Sequence, residues 1–290
     1  MADELARSGV KLPEIDLAGS VALITGGDRG LGKSMAEAIV RCGGRVSIAS
    51  VDPNGCIKLA NELNARHGTG VACGFPLDVT NLAQCREGVK QTVSQFGKLN
   101  ILFNNARRLM RGPGLPPTGN SLPIWETDPD IYAETVTVNV IGTFNMARAA
   151  VEYFRSQNGG KILNVSTSLR NFSFPKNSPY GVTKTALESQ TLIWAAECEA
   201  ENIMINSICP GGAVDSDLSR PDRESRELQP VDIMDPLAVW LASEHSNGVT
   251  GCRFNAKFWD PSVNFNEAAR GAREEPVFAL QPEGRFSVLD

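Results

Sequence analysis

Histidine is scarce in this chain, with only His67 and His245 among 290 residues. A Ser-His-Asp hydrolase would have to use one of them, and neither stands in a nucleophile setting. The seven cysteines are odd in number, widely spaced and without a C-x-x-C pair. With so little histidine beside them they do not form a zinc pattern, and free, mostly buried thiols in a reducing compartment are expected. No apolar run reaches the roughly 20 residues that a membrane helix needs. The opening M-A-D-E-L-A-R-S-G-V-K is polar, unlike a signal or transit peptide. There is no basic surplus either. The formal net charge is −5, which disfavours a nucleic-acid partner. These absences point to a cytoplasmic protein that works on small molecules, with no metal, membrane or nucleic-acid partner.

Tyrosine is almost as rare, at three residues. Of Tyr132, Tyr153 and Tyr180, only the last has a lysine four positions on, in S-P-Y-G-V-T-K at 178–184. Alone, Tyr180 and Lys184 read as an ordinary i,i+4 pair on a helix surface. The rest of the chain has to decide between that reading and chemistry.

The chain alternates. Apolar, β-rich runs predict strands at 20–25, 45–50, 71–79, 99–106, 161–166, 203–209 and 252–258. Between them, helical spacing predicts helices at 33–42, 54–67, 81–96, 130–157, 179–200 and 236–243. In the 130–157 helix Val136, Val140, Phe144 and Ala147 fall on one stripe and are expected to be buried. Strands alternating with helices imply right-handed βαβ units and one doubly wound parallel α/β sheet, helices on both faces. Residues 107–129 break the pattern with five prolines and three glycines and read as a long loop. Residues 1–18 read as an arm, 19–262 as one Rossmann-type domain, and 263–290 as a tail that wraps the domain, crosses to a partner or moves freely.

The first strand runs straight into a glycine loop with the spacing T-G-x-x-x-G-x-G, formed by Thr25, Gly26, Gly30 and Gly32. Glycines let the chain turn tightly and let backbone N–H groups approach a pyrophosphate, and the following helix adds its positive end. At the first βα junction this predicts dinucleotide binding, with Asp28, Arg29 and Leu31 inside the loop.

With this loop, the chain over about residues 18–258 resembles a short-chain dehydrogenase/reductase. The other marks follow in order: Leu77-Asp78-Val79 after the third strand, Asn104-Asn105-Ala106 closing the fourth, Asn139 in V-N-V-I-G, hydroxyls at Ser166, Thr167 and Ser168, then Tyr180 and Lys184, then Pro210-Gly211-Gly212. The resemblance implies NAD(P)-dependent hydride transfer between the cofactor and a carbonyl or secondary alcohol, with a homo-oligomeric (dimeric or tetrameric) enzyme. It implies that Asp78, with Val79, lies against the adenine. Asn105, Ala106, Pro210 and Gly211 would line the dinucleotide. Tyr180 would pass the proton, tuned by Lys184, because a free phenol with a pKa near ~10 is a poor acid or base at neutral pH. Lys184 would also hold the nicotinamide ribose, and Asn139 a water reaching Lys184.

Several points stay open in the sequence. The helper hydroxyl is expected at Ser168, with Thr167 as the alternative, while Ser166 ends the strand. The family's N-N-A-G reads N-N-A-R here, and Arg107 is expected to turn its side chain away toward solvent, phosphate or substrate. At the end of the second strand stand Ser50 and Asp52. Arg29 suits a 2′-phosphate, Asp28 and Asp52 oppose one, and NADP(H) is favoured over NAD(H). Substrate determinants are expected in 107–125, 169–174 and 214–234, with Trp125, Phe172 and Phe174 as apolar candidates and Asp215 or Ser216 near the nicotinamide. A non-catalytic NADP-binding sensor of the same fold is the rival reading, and an epimerase or dehydratase the third.

Overall fold

The computed structural model describes residues 10–109, 122–216 and 228–278. Five-residue β1 (Val21–Thr25) and seven-residue β6 (Ile203–Cys209) are buried along their whole length. Continuous apolar runs of this kind belong to central strands of a sheet covered on both faces. The full set is β1, β2 (Arg45–Ser50), β3 (Ala72–Pro76), β4 (Ile101–Asn104), β5 (Gly160–Val165), β6, β7 (Arg253–Asn255) and β8 (Arg273–Glu274). They form one eight-stranded sheet in the order β3-β2-β1-β4-β5-β6-β7-β8, parallel except for the antiparallel pair β7–β8.

The helices are α1 (Gly30–Arg41), α2 (Pro53–His67), α3 (Leu82–Phe96), α4 (Pro129–Val136), α5 (Thr143–Ser156), α6 (Tyr180–Glu197), α7 (Asp235–Ala242) and α8 (Phe265–Ala272). One face of the sheet packs on Met35 and Ile39 of α1, Leu59 and Leu63 of α2, and Leu237 and Trp240 of α7. The other packs on Val89 of α3, Met146, Ala150 and Phe154 of α5, and Ala195 of α6. Local chemistry sets the boundaries. Asp52 and Asn81 cap α2 and α3 by accepting from the N–H groups of the first turn, and Gly97 ends α3 in the left-handed region.

The structure refines three of these readings. The region read as one helix over 130–157 contains a π-helical segment, Thr137–Gly142, between α4 and α5. A π turn holds more residues than an α turn. It shifts the helical phase, so Phe144 is 46% exposed while Asn145 and Met146 point inward. The last predicted strand stops at Asn255. Residues 263–278, read as part of a tail, contain α8, whose Ala268, Ala269 and Ala272 are buried, and β8.

The strand order reverses between β1 and β4, which opens a crevice at the carboxyl ends of the parallel strands. Every stretch singled out in the sequence lies along that edge: the glycine loop after β1, Ser50 ending β2, Asp78 after β3, Asn105 after β4, Thr167 after β5 and Pro210 after β6.

Candidate active site

The glycine loop is held by sterics that only glycine satisfies. Gly26 and Gly30 adopt φ of 59° and 53°. A Cβ on Gly32 would collide with the Gly26 carbonyl and lie 2.6 Å from Asn105 Nδ2. Asn105 fastens the end of β4 to the loop, its Nδ2 donating to the carbonyls of Thr25 (2.9 Å) and Gly26 (2.8 Å). The Thr25 hydroxyl accepts from the backbone N–H of Asn105 and Ala106, both at 3.1 Å. Leu31 is buried beneath the loop. This cradle, open at Gly30 and backed by the start of α1, fits a pyrophosphate.

Along the same edge, the Asp78 carboxylate accepts from the Thr80 N–H (2.9 Å) and hydroxyl (2.8 Å). Val79 packs against Gly142. Ser50 is buried and accepts from the Asp52 N–H at 3.0 Å. Asp28 and Asp52 converge: a Cβ on Gly55 would lie 3.0 Å from Asp52 Oδ2 and 3.2 Å from Asp28 Oδ2. Arg29 is largely exposed and 3.9 Å from Asp28. Gly211 has φ of 75° beside Asn255 and follows buried Pro210.

Tyr180 is the first residue of α6 and is 6% exposed. Lys184, one turn on, is buried with its ammonium 5.9 Å from the Tyr180 ring centroid, donating to the Val165 carbonyl at 2.7 Å. Burial would push the phenol up. The charges of Arg107 and Lys184, with hydrogen bonds from Thr167 and Arg107, outweigh it and hold Tyr180 below the usual tyrosine range. Burial pushes Lys184 down, Arg107 adds to that, and Tyr180 and Glu188 oppose it.

Of the two candidate hydroxyls, that of Thr167 acts on the phenol and accepts from Asn171 Nδ2 at 2.7 Å. Ser168 precedes the short 3-10 turn Leu169–Phe172, its carbonyl accepting from the Asn171 N–H at 2.9 Å. Asn139 is buried in the π segment, and its amide is largely spent on the chain beside it. Oδ1 accepts from the Arg108 N–H (2.7 Å), and Nδ2 donates to the Arg108 carbonyl and the Thr183 hydroxyl (both 3.1 Å). Arg107, expected to face solvent, phosphate or substrate, is exposed, and its positive charge acts on the Tyr180 phenol.

A five-donor hub stands behind this group. Arg253 of β7 is 2% exposed. It pairs with Glu188 of α6 and with Glu274 of β8 (2.7 Å), and donates to the Ser166 hydroxyl (3.3 Å), the Thr167 carbonyl (2.6 Å) and Cys209 Sγ (3.3 Å). Its guanidinium also lies 5.3 Å from the Phe172 ring centroid, so Phe172 packs on the hub. Sequence reasoning missed Arg253 because a lone arginine in a short strand carries no spacing signal. Trp125 is 81% exposed and Phe174 is exposed. Residues 110–121 and 217–227, within the stretches expected to choose the substrate, lie outside the described residues.

The family model for short chain dehydrogenases matches residues 20–227. The chain belongs to that family. An oxidoreductase of unassigned substrate from Thermotoga maritima is 36% identical over 193 residues, 67% of this chain and 71% of its own. The trans-4-hydroxycyclohexanecarboxylate dehydrogenase of Sinomonas cyclohexanicum is 30% identical over 245 residues, 81% of this chain and 90% of its own. Among solved structures, the 3-ketoacyl-(acyl-carrier-protein) reductase of Brucella melitensis complexed with NADH superimposes with a TM-score of 0.73 at 27% identity, covering 83% of this chain and 97% of that one. This short-chain dehydrogenase is thus an enzyme, a nicotinamide-dependent oxidoreductase. Among its described residues no helix is long and apolar enough to cross a membrane.

Proposed function

We propose that Tyr180 gives and takes the proton at a substrate oxygen while a carbonyl and a secondary alcohol interconvert. The observation that carries this reading is the buried Tyr180 phenol with the buried Lys184 ammonium 5.9 Å from its ring, one helical turn away at the carboxyl edge of the sheet. Gly26 to Gly32, Asp78, Val79, Asn105, Ala106, Pro210 and Gly211 would hold a dinucleotide that, when bound, supplies or accepts the hydride. In reduction the Tyr180 hydroxyl donates its proton to the carbonyl oxygen, and in oxidation the phenolate removes it from the alcohol. A phenol held below its usual range serves the second direction better than a free one. The Thr167 hydroxyl, in preference to that of Ser168, donates to the same oxygen and stabilises charge growing there. Lys184, anchored on Val165, keeps a positive charge beside the phenolate. Asn139 fixes the backbone of Arg108 on both sides of its amide.

For the cofactor, the convergence of Asp28 and Asp52 favours NAD(H), because two carboxylates would repel a 2′-phosphate. This reverses the lean toward NADP(H) taken from Arg29 and Ser50 in the sequence. The ratio of kcat/KM for NADH and NADPH checks it, and a preference for NADPH would restore the earlier reading. Exposed Ile141, Phe144, Val182 and Ile193 on the π segment, α5 and α6 support a homo-oligomer, dimeric or tetrameric, and light scattering in solution tests that. The free cysteines, five of them buried, fit a reducing cytoplasm. Residues 19–262 with α8 and β8 form the proposed catalytic unit.

The purified protein should turn over NADH with a panel of ketones and secondary alcohols. Tyr180→Phe should lower kcat by about 10²–10⁴-fold, the usual worth of a positioned acid or base, with the Kd for NADH within about threefold of wild type. Wild-type turnover in that variant would remove Tyr180 from the reaction.

A further inference from the structure

A hydroxyl that serves a reacting oxygen needs its own oxygen in place and its single proton pointed the right way. At Thr167 the branched Cβ restricts χ1 and so places the oxygen. Arg253 fixes the backbone of the same residue by donating to its carbonyl at 2.6 Å. Neither sets the proton, which still turns about the C–O bond.

Asn171, four residues on in the 3-10 turn Leu169–Phe172, meets that hydroxyl directly. Its Nδ2 donates to Thr167 Oγ1 at 2.7 Å. A hydroxyl has one proton to give and lone pairs to accept with. While it accepts from Asn171, its proton is turned to the opposite side. Thr167 is 5% exposed, so few other directions are open to it. Its effect on the Tyr180 phenol is that of a donor, which stabilises phenolate.

Asn171 is itself held on three sides. Its N–H donates to the Ser168 carbonyl at 2.9 Å, and its carbonyl accepts from Asn177 Nδ2 at 2.6 Å. The Asn177 carbonyl in turn accepts from the N–H of Gly181, the neighbour of Tyr180, at 2.7 Å. A Cβ on Gly181 would lie 2.6 Å from the Asn171 carbonyl oxygen, so glycine lets the turn rest on the start of α6. One short turn thus ties the Thr167 hydroxyl to the helix that carries Tyr180.

We propose that Asn171 is a positioning residue: by donating to Thr167 Oγ1 it turns the Thr167 proton toward the oxygen that Tyr180 serves. This rests on the readings of Tyr180 and Thr167 given above.

The test compares wild type with Thr167→Val, Asn171→Leu, Asn171→Asp and the double variant Asn171→Leu/Thr167→Val, after circular dichroism confirms each fold. Asn171→Leu removes the amide at similar volume. Asn171→Asp keeps the shape but offers the hydroxyl an acceptor in place of a donor. The rate is read with NADH and the ketone that wild type reduces fastest. Asn171→Leu should lower kcat about three- to tenfold, the worth of one neutral hydrogen bond, with KM for NADH within about twofold. Asn171→Asp should lower it about 10- to 100-fold, since a carboxylate draws the hydroxyl proton to itself. In the Thr167→Val background Asn171→Leu should change kcat by less than about twofold, because the group it acts through is gone.

A second readout needs no substrate. The phenolate absorbance of Tyr180, isolated by subtracting the curve of the matching Tyr180→Phe variant, should titrate at higher pH in Asn171→Leu than in wild type. That difference should vanish in the Thr167→Val background. With no ketone reduced, this titration decides. An unshifted phenolate in Asn171→Leu, an equal loss with and without the Thr167 hydroxyl, or an Asn171→Asp as active as wild type overturns the proposal. If Thr167→Val lowers kcat and both Asn171 variants keep it, only the Asn171 assignment fails. If Thr167→Val keeps full activity, the reading of Thr167 fails, and if Tyr180→Phe does, that of Tyr180.

Discussion

Arg253→Met is the most informative single change outside the crevice. The methionine nearly fills the space of the arginine stem but takes away every hydrogen bond that Arg253 gives to Glu188, Glu274, Ser166, Thr167 and Cys209. Glu188, itself buried, keeps only the Ser207 hydroxyl, which donates at 2.8 Å. Removing one partner of a buried ion pair costs about 3–5 kcal/mol, because the other charge stays behind uncompensated. At about 2–4 °C per kcal/mol for a chain of this size, the melting temperature should fall by roughly 6–20 °C. The double variant Arg253→Met/Glu188→Gln removes the stranded charge and should regain most of that loss. Both are measured by thermal and urea denaturation of the purified protein, with kcat alongside, since the Thr167 carbonyl loses its 2.6 Å donor. A melting temperature within about 2 °C of wild type for Arg253→Met, or a double variant no more stable than the single, would refute the account of Arg253 as the charge that holds α6, β8 and the Thr167 segment together.

Other outcomes are expected elsewhere. Gly32→Ala should weaken NADH binding at least tenfold by fluorescence titration and lower the melting temperature, since its Cβ meets backbone; an unchanged Kd would contradict the cradle. In the oxidation direction, kcat should rise with pH as Tyr180 ionises, and Arg107→Met, which removes a positive charge, should move that rise to higher pH. A profile that stays in place would mean that Arg107 does not act on the phenol. Lys161 is buried, donates to the Ser243 carbonyl and to the Ser246 hydroxyl at 2.7 Å, and is pushed down by burial to about 8 from 10.5. Between those two values the unfolded chain holds more protons, so Lys161 makes stability rise with pH, by up to about 1.4 kcal/mol per unit. Wild type should therefore gain on Lys161→Met between pH 7.5 and 9.5 in urea titrations, and a constant difference would count against the shift.

Much of the fold was legible because the strands are continuous apolar runs ended by glycine or by a helix cap. The runs at 45–50 and 203–209 coincide with β2 and β6. The cradle was legible for a related reason: its glycines are demanded by backbone geometry and so leave a spacing. What was not legible depends on tertiary surroundings. The π segment around Asn139 is held by contacts to Arg108 and Thr183 that lie far off in sequence, and a helical wheel drawn through it places Phe144 on the wrong side. A loop arginine defaults to solvent, and nothing local says that the charge of exposed Arg107 acts on Tyr180. Thr167 and Ser168 are neighbours with the same chemistry, and nothing local in the sequence chooses between them.

The two-residue strand β8 also governs how the sheet meets copies of itself. Without it, β7 would end the sheet as a bare edge, whose unpaired N–H and C=O groups template strands from other molecules. β8 covers that edge in antiparallel register, Arg253 opposite Glu274 and Phe254 opposite Arg273. It is too short and too charged to extend the ladder further. The far edge, β3, ends in Pro76, which has no N–H to offer. A chain cut before β8 therefore exchanges a blunted sheet for an adhesive one, and its first symptom is concentration-dependent aggregation.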